Sequence, residues 1–300
     1  MKRSLYIPII IILIIAVIVI AYIVYQRMNS SEALHEQKTI PAASITSMKI
    51  DTTAPDVEIT PGEQSDIVVT LDGDISPRLK GKYTFNVTAD QNVMNVQLAT
   101  DNNTLGIKLD EISDLKLMIT VPQKEWDQIQ VTTTSGDITL HNLAANMLQS
   151  QTSSGEQHVS GLKISGTGTI KTTSGDIDAQ QNEINTGQWE TTSGVIQSQQ
   201  LSGQSAALQT SSGAIKYTQA QPLPNVELTT SSGDVDAVLN GSTDSLQLQF
   251  TSNSGTADIG VDGMLYKDKS EHSALGVKGE GEPQQRITVN TSSGDLKVSQ

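Results

Sequence analysis

Two hydrophobic patterns divide the chain. Leu5 to Tyr25 (LYIPIIIILIIAVIVIAYIVY) is an unbroken run without a charge. At about 1.5 Å per helical residue it covers a hydrocarbon layer of roughly 30 Å, so it predicts a helix that crosses a membrane once. The run exceeds the roughly 7–15 apolar residues of a cleavable signal peptide and no A-x-A site follows it, which favours an uncleaved anchor. Beyond it, apolar residues alternate with polar ones in short stretches: IVVTLDGD (67–74), YTFNV (83–87), VMNVQL (93–98), LGIKL (105–109) and LKLMITVP (115–122). A period of two predicts half-buried strands, with corners at the turn residues between them.

From about residue 129 the alternation becomes a repeat. Thr/Ser-Ser-Gly, then an acidic or small residue, then an aliphatic one recur around Gly136, Gly155, Gly175, Gly194, Gly213, Gly233, Gly255 and Gly294. The steps are 19, 20, 19, 19, 20, 22 and 39, the last close to two periods. Such a period marks an array whose units bury their apolar faces against neighbours, and it is too short for a propeller blade of about 40–45 residues. The expected fold class is all-β: a parallel β-helix-like solenoid of about 20 residues per turn, after one N-terminal transmembrane helix. Each turn should hold two or more strands and two corners, the second corners falling at Gly166/Gly168, Asn185-Thr186-Gly187, Ser202-Gly203 and Asn240-Gly241. Nine rungs, one of them degenerate near 270–280, predict a rod of roughly 40 Å. The stretch DTTAPDVEI (51–59) keeps the shape of the motif with Ala54-Pro55 in place of Ser-Gly.

The resulting organisation is a cytoplasmic N-terminus (1–4), the membrane helix (5–25), a polar linker (26–44) and an extracytoplasmic solenoid domain (45–300). Within the last, 45–128 are degenerate opening strands and 129–300 the T-S-G-D repeats, with a Gly-rich loop or hairpin inserted at 260–282. The eight motif glycines are expected to supply positive φ at sharp corners, while the preceding Ser or Thr bonds nearby backbone or the next rung. Asp137, Asp176, Asp234 and Asp295 would project there. Carboxylate oxygens raise a calcium alternative at Asp137 and Asp176. Against it, the acidic position is Val195, Ala214 and Thr256 in three rungs, and the G-G-x-G-x-D pattern of calcium-binding β-rolls is missing.

Charge and composition narrow the function. Lys2 and Arg3 precede the apolar run and Arg27 stands alone after it, which orients the N-terminus towards the cytoplasm. The net charge is -14, and residues 28–300 carry 16 basic against 33 acidic side chains, or -17. A nucleic-acid partner needs clustered Lys and Arg and is not expected. With no cysteine there is no disulfide scaffold, thiolate zinc site or thiol catalysis, although the redox compartment stays open. The 32 Ser and 32 Thr compete with helical backbone bonding and favour strands and turns.

A single anchor, a strand-rich opening, Leu117-Met-Ile-Thr-Val-Pro122, Asp127-Gln-Ile-Gln-Val131 and serial T-S-G-D-I units together resemble the bacterial "putative adhesin" domain family of unknown function, in particular its LiaG-like membrane-anchored type. The resemblance covers nearly the whole chain. It implies a β-solenoid at the cell envelope, associated with envelope stress, and brings no catalytic residue or cofactor with it.

Residue-level chemistry is sparse. His35, His141, His158 and His272 are scattered without metal-ligand spacing. Ser113-Asp-Leu-Lys116 and Ser160-Gly-Leu-Lys163 match S-x-x-K but sit in strand-like runs, not at the start of a helix. Asp176 with Asp178, or Asp234 with Asp236, could serve a polysaccharide lyase or hydrolase on a β-helix, though few exposed aromatic residues are available to grip sugar. The expected function is a non-catalytic envelope scaffold or adhesin. It would be held in the lipid bilayer by residues 5–25 and would meet a cell-wall polymer or envelope protein through acidic, polar faces. The alternatives are the lyase or hydrolase and an electrostatic trap for cationic peptides or metal ions.

Overall fold

A computed structural model describes residues 15–22, 31–76, 81–100 and 115–300. Residues 15–22 are helical with exposed side chains. Among the described residues no helix is long and apolar enough to cross a membrane, and most of the span expected at 5–25 lies outside them, as does 105–109.

Everything described after residue 31 is strand and corner. The opening region holds β1 (Glu32–Pro41), β2 (Ser47–Thr52), β3 (Asp56–Gly62), β4 (Asp66–Ile75), β5 (Tyr83–Asp90), β6 (Val93–Thr100), β7 (Lys116–Pro122) and β8 (Glu125–Thr132). The repeats supply β9 (Ile138–His141), β10 (Ala144–Gln151), β11 (Gln157–Ser160), β12 (Lys163–Lys171), β13 (Ile177–Gln180), β14 (Glu183–Glu190), β15 (Ile196–Leu201), β16 (Ser205–Thr210) and β17 (Ile215–Gln219). They continue through β18 (Asn225–Thr230), β19 (Val235–Val238), β20 (Leu246–Thr251) and β21 (Ala257–Gly260). After β22 (Leu265–Lys269) and β23 (Ser273–Lys278), the chain closes with β24 (Gln285–Asn290) and β25 (Leu296–Ser299).

These strands form two sheets facing one core. Sheet A runs β1-β4-β7-β3-β9-β11-β13-β15-β17-β19-β25-β21, and sheet B runs β22-β23-β20-β24-β18-β16-β14-β12-β10-β8-β2-β6-β5. Ten consecutive strands of each sheet are parallel, from β7 to β21 in A and from β6 to β20 in B, and pair off as ten rungs. Nine steps of about 4.8 Å give a stack of about 43 Å. Alternation dictates the core: Ile138, Gln157, Ile177, Ile196, Ile215, Val235 and Leu296 fall in register on successive rungs, each at most 1% exposed. Each aliphatic member contributes about 1.5–3 kcal/mol by leaving water. The buried Gln157 is tolerated because its amide accepts from Ser150 Oγ at 2.5 Å and donates to the Lys171 carbonyl at 2.5 Å.

Three expectations change. Residues 32–41 of the expected linker form β1, antiparallel to β4 at the edge of sheet A. Its charges disguise it: Glu36 accepts from Tyr83 Oη, and Lys38 donates to the Phe85 carbonyl and lies 4.6 Å from that ring, so both are satisfied against β5. Within 260–282 the chain forms the antiparallel pair β22–β23 alongside β20, so 270–280 is not a rung. The additional rungs come from β6–β7 and β2–β3. Finally, Gly166, Gly168 and Gly187 lie inside β12 and β14, not at corners. Gly168 and Gly187 make room for Ile184 and the Trp189 ring, whose atoms a Cβ would crowd. The turns come earlier in the chain, at left-handed Asn142, Gly161 and Gln181 (φ 52°, 65° and 54°).

Candidate binding surface

The eight motif glycines all lie at one corner of the rod, but none has positive φ. They are there because the backbones touch. A Cβ on Gly155, Gly175 or Gly194 would lie 2.6 Å from the carbonyl carbon of the motif glycine one rung below and would overlap its oxygen. The positive-φ expectation is therefore replaced by a contact requirement. Pro55 occupies the equivalent place under Gly136.

At five of the eight motifs the Thr three residues before the glycine points inward and bolts the rungs together. Thr152, Thr172, Thr191, Thr210 and Thr230 donate Oγ1 hydrogen bonds to the carbonyls of Gly136, Gly155, Gly175, Gly194 and Gly213 at 2.9–3.1 Å. The acidic residue after glycine has a similar task. Asp137 Oδ1 accepts the Glu156 N–H at 2.8 Å, Asp176 Oδ1 the Val195 N–H at 2.8 Å and Asp234 Oδ1 the Asp295 N–H at 2.9 Å. Asp295 Oδ1 accepts from Thr256 N–H and Oγ1, which holds its carboxyl below the ordinary value. Asp137 and Asp176 thus each spend an oxygen on a neighbouring rung. Among the described residues no group of three or more His, Asp or Glu is placed to hold a metal.

The remaining candidates do not converge. His141 Nδ1 meets Ser160 Oγ at 2.5 Å, His158 faces Glu156 at 3.4 Å, His35 pairs with Asp72 at 2.8 Å and His272 meets the Gly255 carbonyl at 2.9 Å. Ser160 ends β11 and Lys163 begins β12, across a corner from each other, while Ser113 lies outside the described residues. Asp176 sits at the corner and Asp178 on sheet A, where its Oδ2 accepts from Gln180 at 2.9 Å. Asp234 likewise sits at the corner, with Asp236 on sheet A.

The surface with most to offer is the outer face of sheet B, whose repeat strands are mostly the longer ones. Gln130, Gln149, Thr169, Gln188, Ala207, Glu227, Thr288 and Gln249 stack in register on eight successive rungs. The short side chain of Ala207 leaves a hollow of about 330 Å³ between Gln188 and Glu227, rimmed by Ser205, Asn225, Arg286 and Thr288. Arg286 is held by Glu282 at 3.1 Å. Lys171 and Glu190 form a second ion pair on this face at 2.6 Å, and its amides and hydroxyls can make many hydrogen bonds to a ligand rich in hydroxyls or amides. Sequence reading missed this column because its members share a register position rather than a residue type. A second hollow, near Pro61, Pro122 and Asn142, also reaches Lys124. Lys124 donates to the carbonyls of Ala42 and Ile45 and lies 4.2 Å from the Trp126 ring, and burial lowers its pKa.

One solved structure shares this architecture at low identity. A protein described as a "putative adhesin" from Bacteroides fragilis is 10% identical, aligned over 90% of this chain and 98% of its own, with a TM-score of 0.55. One described as a "putative lipid binding protein" from Parabacteroides distasonis is 11% identical over 89% of this chain and 97% of its own, with a TM-score of 0.48. At 10% identity the likeness to the Bacteroides fragilis structure is one of fold. No curated protein matches the chain. The family model described as Toastrack DUF4097 matches residues 45–299, which takes in every strand but β1, and the chain belongs to that family.

Proposed function

We propose that this chain is a non-catalytic, membrane-anchored envelope scaffold that binds a repeating polymer along the outer face of sheet B. The observation that carries this reading is the in-register column from Gln130 to Gln249, with its hollow at Ala207. Each rung adds weak, similar hydrogen-bonding groups, so affinity accumulates with contact length, as suits a polymer better than one small buried ligand. Residues 5–25 would hold the rod in the bilayer, and β1, which begins at Glu32, would keep that end of the stack close to it. The description of the Bacteroides fragilis structure accords with an adhesin-like role.

Co-sedimentation of the protein with purified cell-wall polysaccharide tests it. Retention should persist in about 0.5 M salt, where exposed charges are screened beyond a few ångströms, and should fall at least tenfold in the double variant Gln188→Ala/Asn225→Ala. Absence of retention, or retention abolished by salt, overturns the proposal.

A further inference from the structure

Chain order and spatial order part company near the last repeat. β24 lies between β18 and β20, and β25 between β19 and β21, so the segment 285–299 fills a slot between two rungs that precede it in sequence. The slot is specific. Arg286 N–H donates to the Pro224 carbonyl at 2.8 Å and Gln285 N–H to that of Ser245 at 3.0 Å, one on each side. Asp295 likewise receives from Thr256 and gives to Asp234. Buried Gln285 Nε2 donates to Gln219 Oε1 at 2.6 Å. On the outer face of sheet A the register places Lys216, Asp236, Lys297 and Asp258 in an alternating column, so Lys297 lies between two carboxylates. Ile287, Val289, Leu296 and Val298 are at most 2% exposed in the slot.

One connection, residues 279–284, joins this rung to β23. Lys278 and Gln285 flank Leu246 from opposite sides, so the connection passes around the end of β20. Gly279 and Gly281 have φ of +92° and +84°, and a Cβ on Gly281 would meet nothing within 4 Å. Every contact of the slot is independent of which copy supplies the rung, and only the connection differs. That is the condition under which an element exchanges between identical chains at little cost.

We propose that the slot between rungs β18–β19 and β20–β21 is a binding site for the 285–299 segment of a second copy of this chain, and that reciprocal exchange joins two rods at the end remote from β1. The -14 charge of each chain opposes casual association of outer faces, whereas the slot offers matched charges and buried aliphatic positions.

Because the chain has no cysteine, the exchange can be read directly. Ser292 N–H bonds the Ser231 carbonyl at 3.2 Å on the adjacent rung, and neighbouring rungs have Cα atoms at a spacing compatible with a disulfide. Full-length Ser231→Cys and Ser292→Cys proteins, each checked by circular dichroism, are concentrated together and oxidised. The expected result is a mixed disulfide dimer carrying one chain of each kind, absent from either variant alone. A second variant lacking residues 280–283 leaves three Cα–Cα steps to cross two strand spacings of about 4.8 Å and round a strand end, which about 11 Å of chain cannot do. It should be a dimer by light scattering at all accessible concentrations. Absence of the mixed disulfide dimer, with the mixture running as monomers on native size-exclusion chromatography, overturns the proposal, as does a monomeric shortened chain.

Discussion

Replacing Gly194 by alanine adds one methyl group where two rungs touch through their backbones. Its Cβ would overlap the Gly175 carbonyl oxygen and sit 2.6 Å from the carbonyl carbon and 3.0 Å from Asp176 Oδ1. Carbon atoms in contact prefer about 3.5–4.0 Å, so the rungs must part locally by about 1 Å. Overpacking of this kind costs about 1–3 kcal/mol. The separation also weakens the Thr191 Oγ1 bond to Gly175 (2.9 Å) and the Val195 N–H bond to Asp176 (2.8 Å), each of about 1 kcal/mol. The expected loss is about 3 kcal/mol. In a stacked array it stays with the neighbouring rungs, so hydrogen exchange should accelerate first around residues 172–177 and 191–196. Urea unfolding followed by circular dichroism gives the total. Gly281→Ala is the control, since it has positive φ and open space and should cost only about 1–2 kcal/mol. A Gly194→Ala protein within about 0.5 kcal/mol of the parent, or less affected than Gly281→Ala, refutes the contact argument.

Other consequences are as direct. Removing residues 176–194, one full period, should leave a folded rod one rung shorter; loss of β-type circular dichroism would contradict independent stacking. Thr191→Val should cost about 1–2 kcal/mol by leaving the Gly175 carbonyl without its partner, whereas Thr133→Val should be neutral or stabilising, because Thr133 Oγ1 is buried with no partner; equal melting shifts would count against the ladder. Burial first, then the hydrogen bond and charge of Glu36, push the Tyr83 hydroxyl from 10.0 up to about 12, so its contribution is complete below pH 10 and is lost between pH 10 and 12. Tyr83→Phe should blunt that alkaline loss in melts taken across the range. Asp295 has the opposite sign: its carboxyl is held low by Thr256, so its contribution is present above about pH 3.8 and disappears as pH falls further. Asp295→Asn should flatten the acid limb of the stability profile, and an unchanged limb would remove Asp295 from the account.

Hydrophobic alternation and the glycine period were sufficient to read a stack of strands, because side-chain direction in a strand depends only on position parity and every repeat meets the same neighbours. The motif-like stretch 51–59 was legible for the same reason, and Pro55 does stand beneath Gly136. The role of the glycines was not legible: a sequence shows that a side chain is missing, but not whether φ or a facing carbonyl forbids it. β1 was hidden by Glu36 and Lys38, whose partners on β5 lie 47 residues away. The order of rungs near 285–299 was equally beyond local reading, since a repeat motif fits any slot. The placement of Lys297 in register between Asp236 and Asp258 and the long-range bond of Gln285 to Gln219 belong to the assembled rod. The sequence alone determined that this chain stacks. Tertiary structure decided which rungs touch and which side chains share the sheet B face, because both depend on register between segments far apart in the chain.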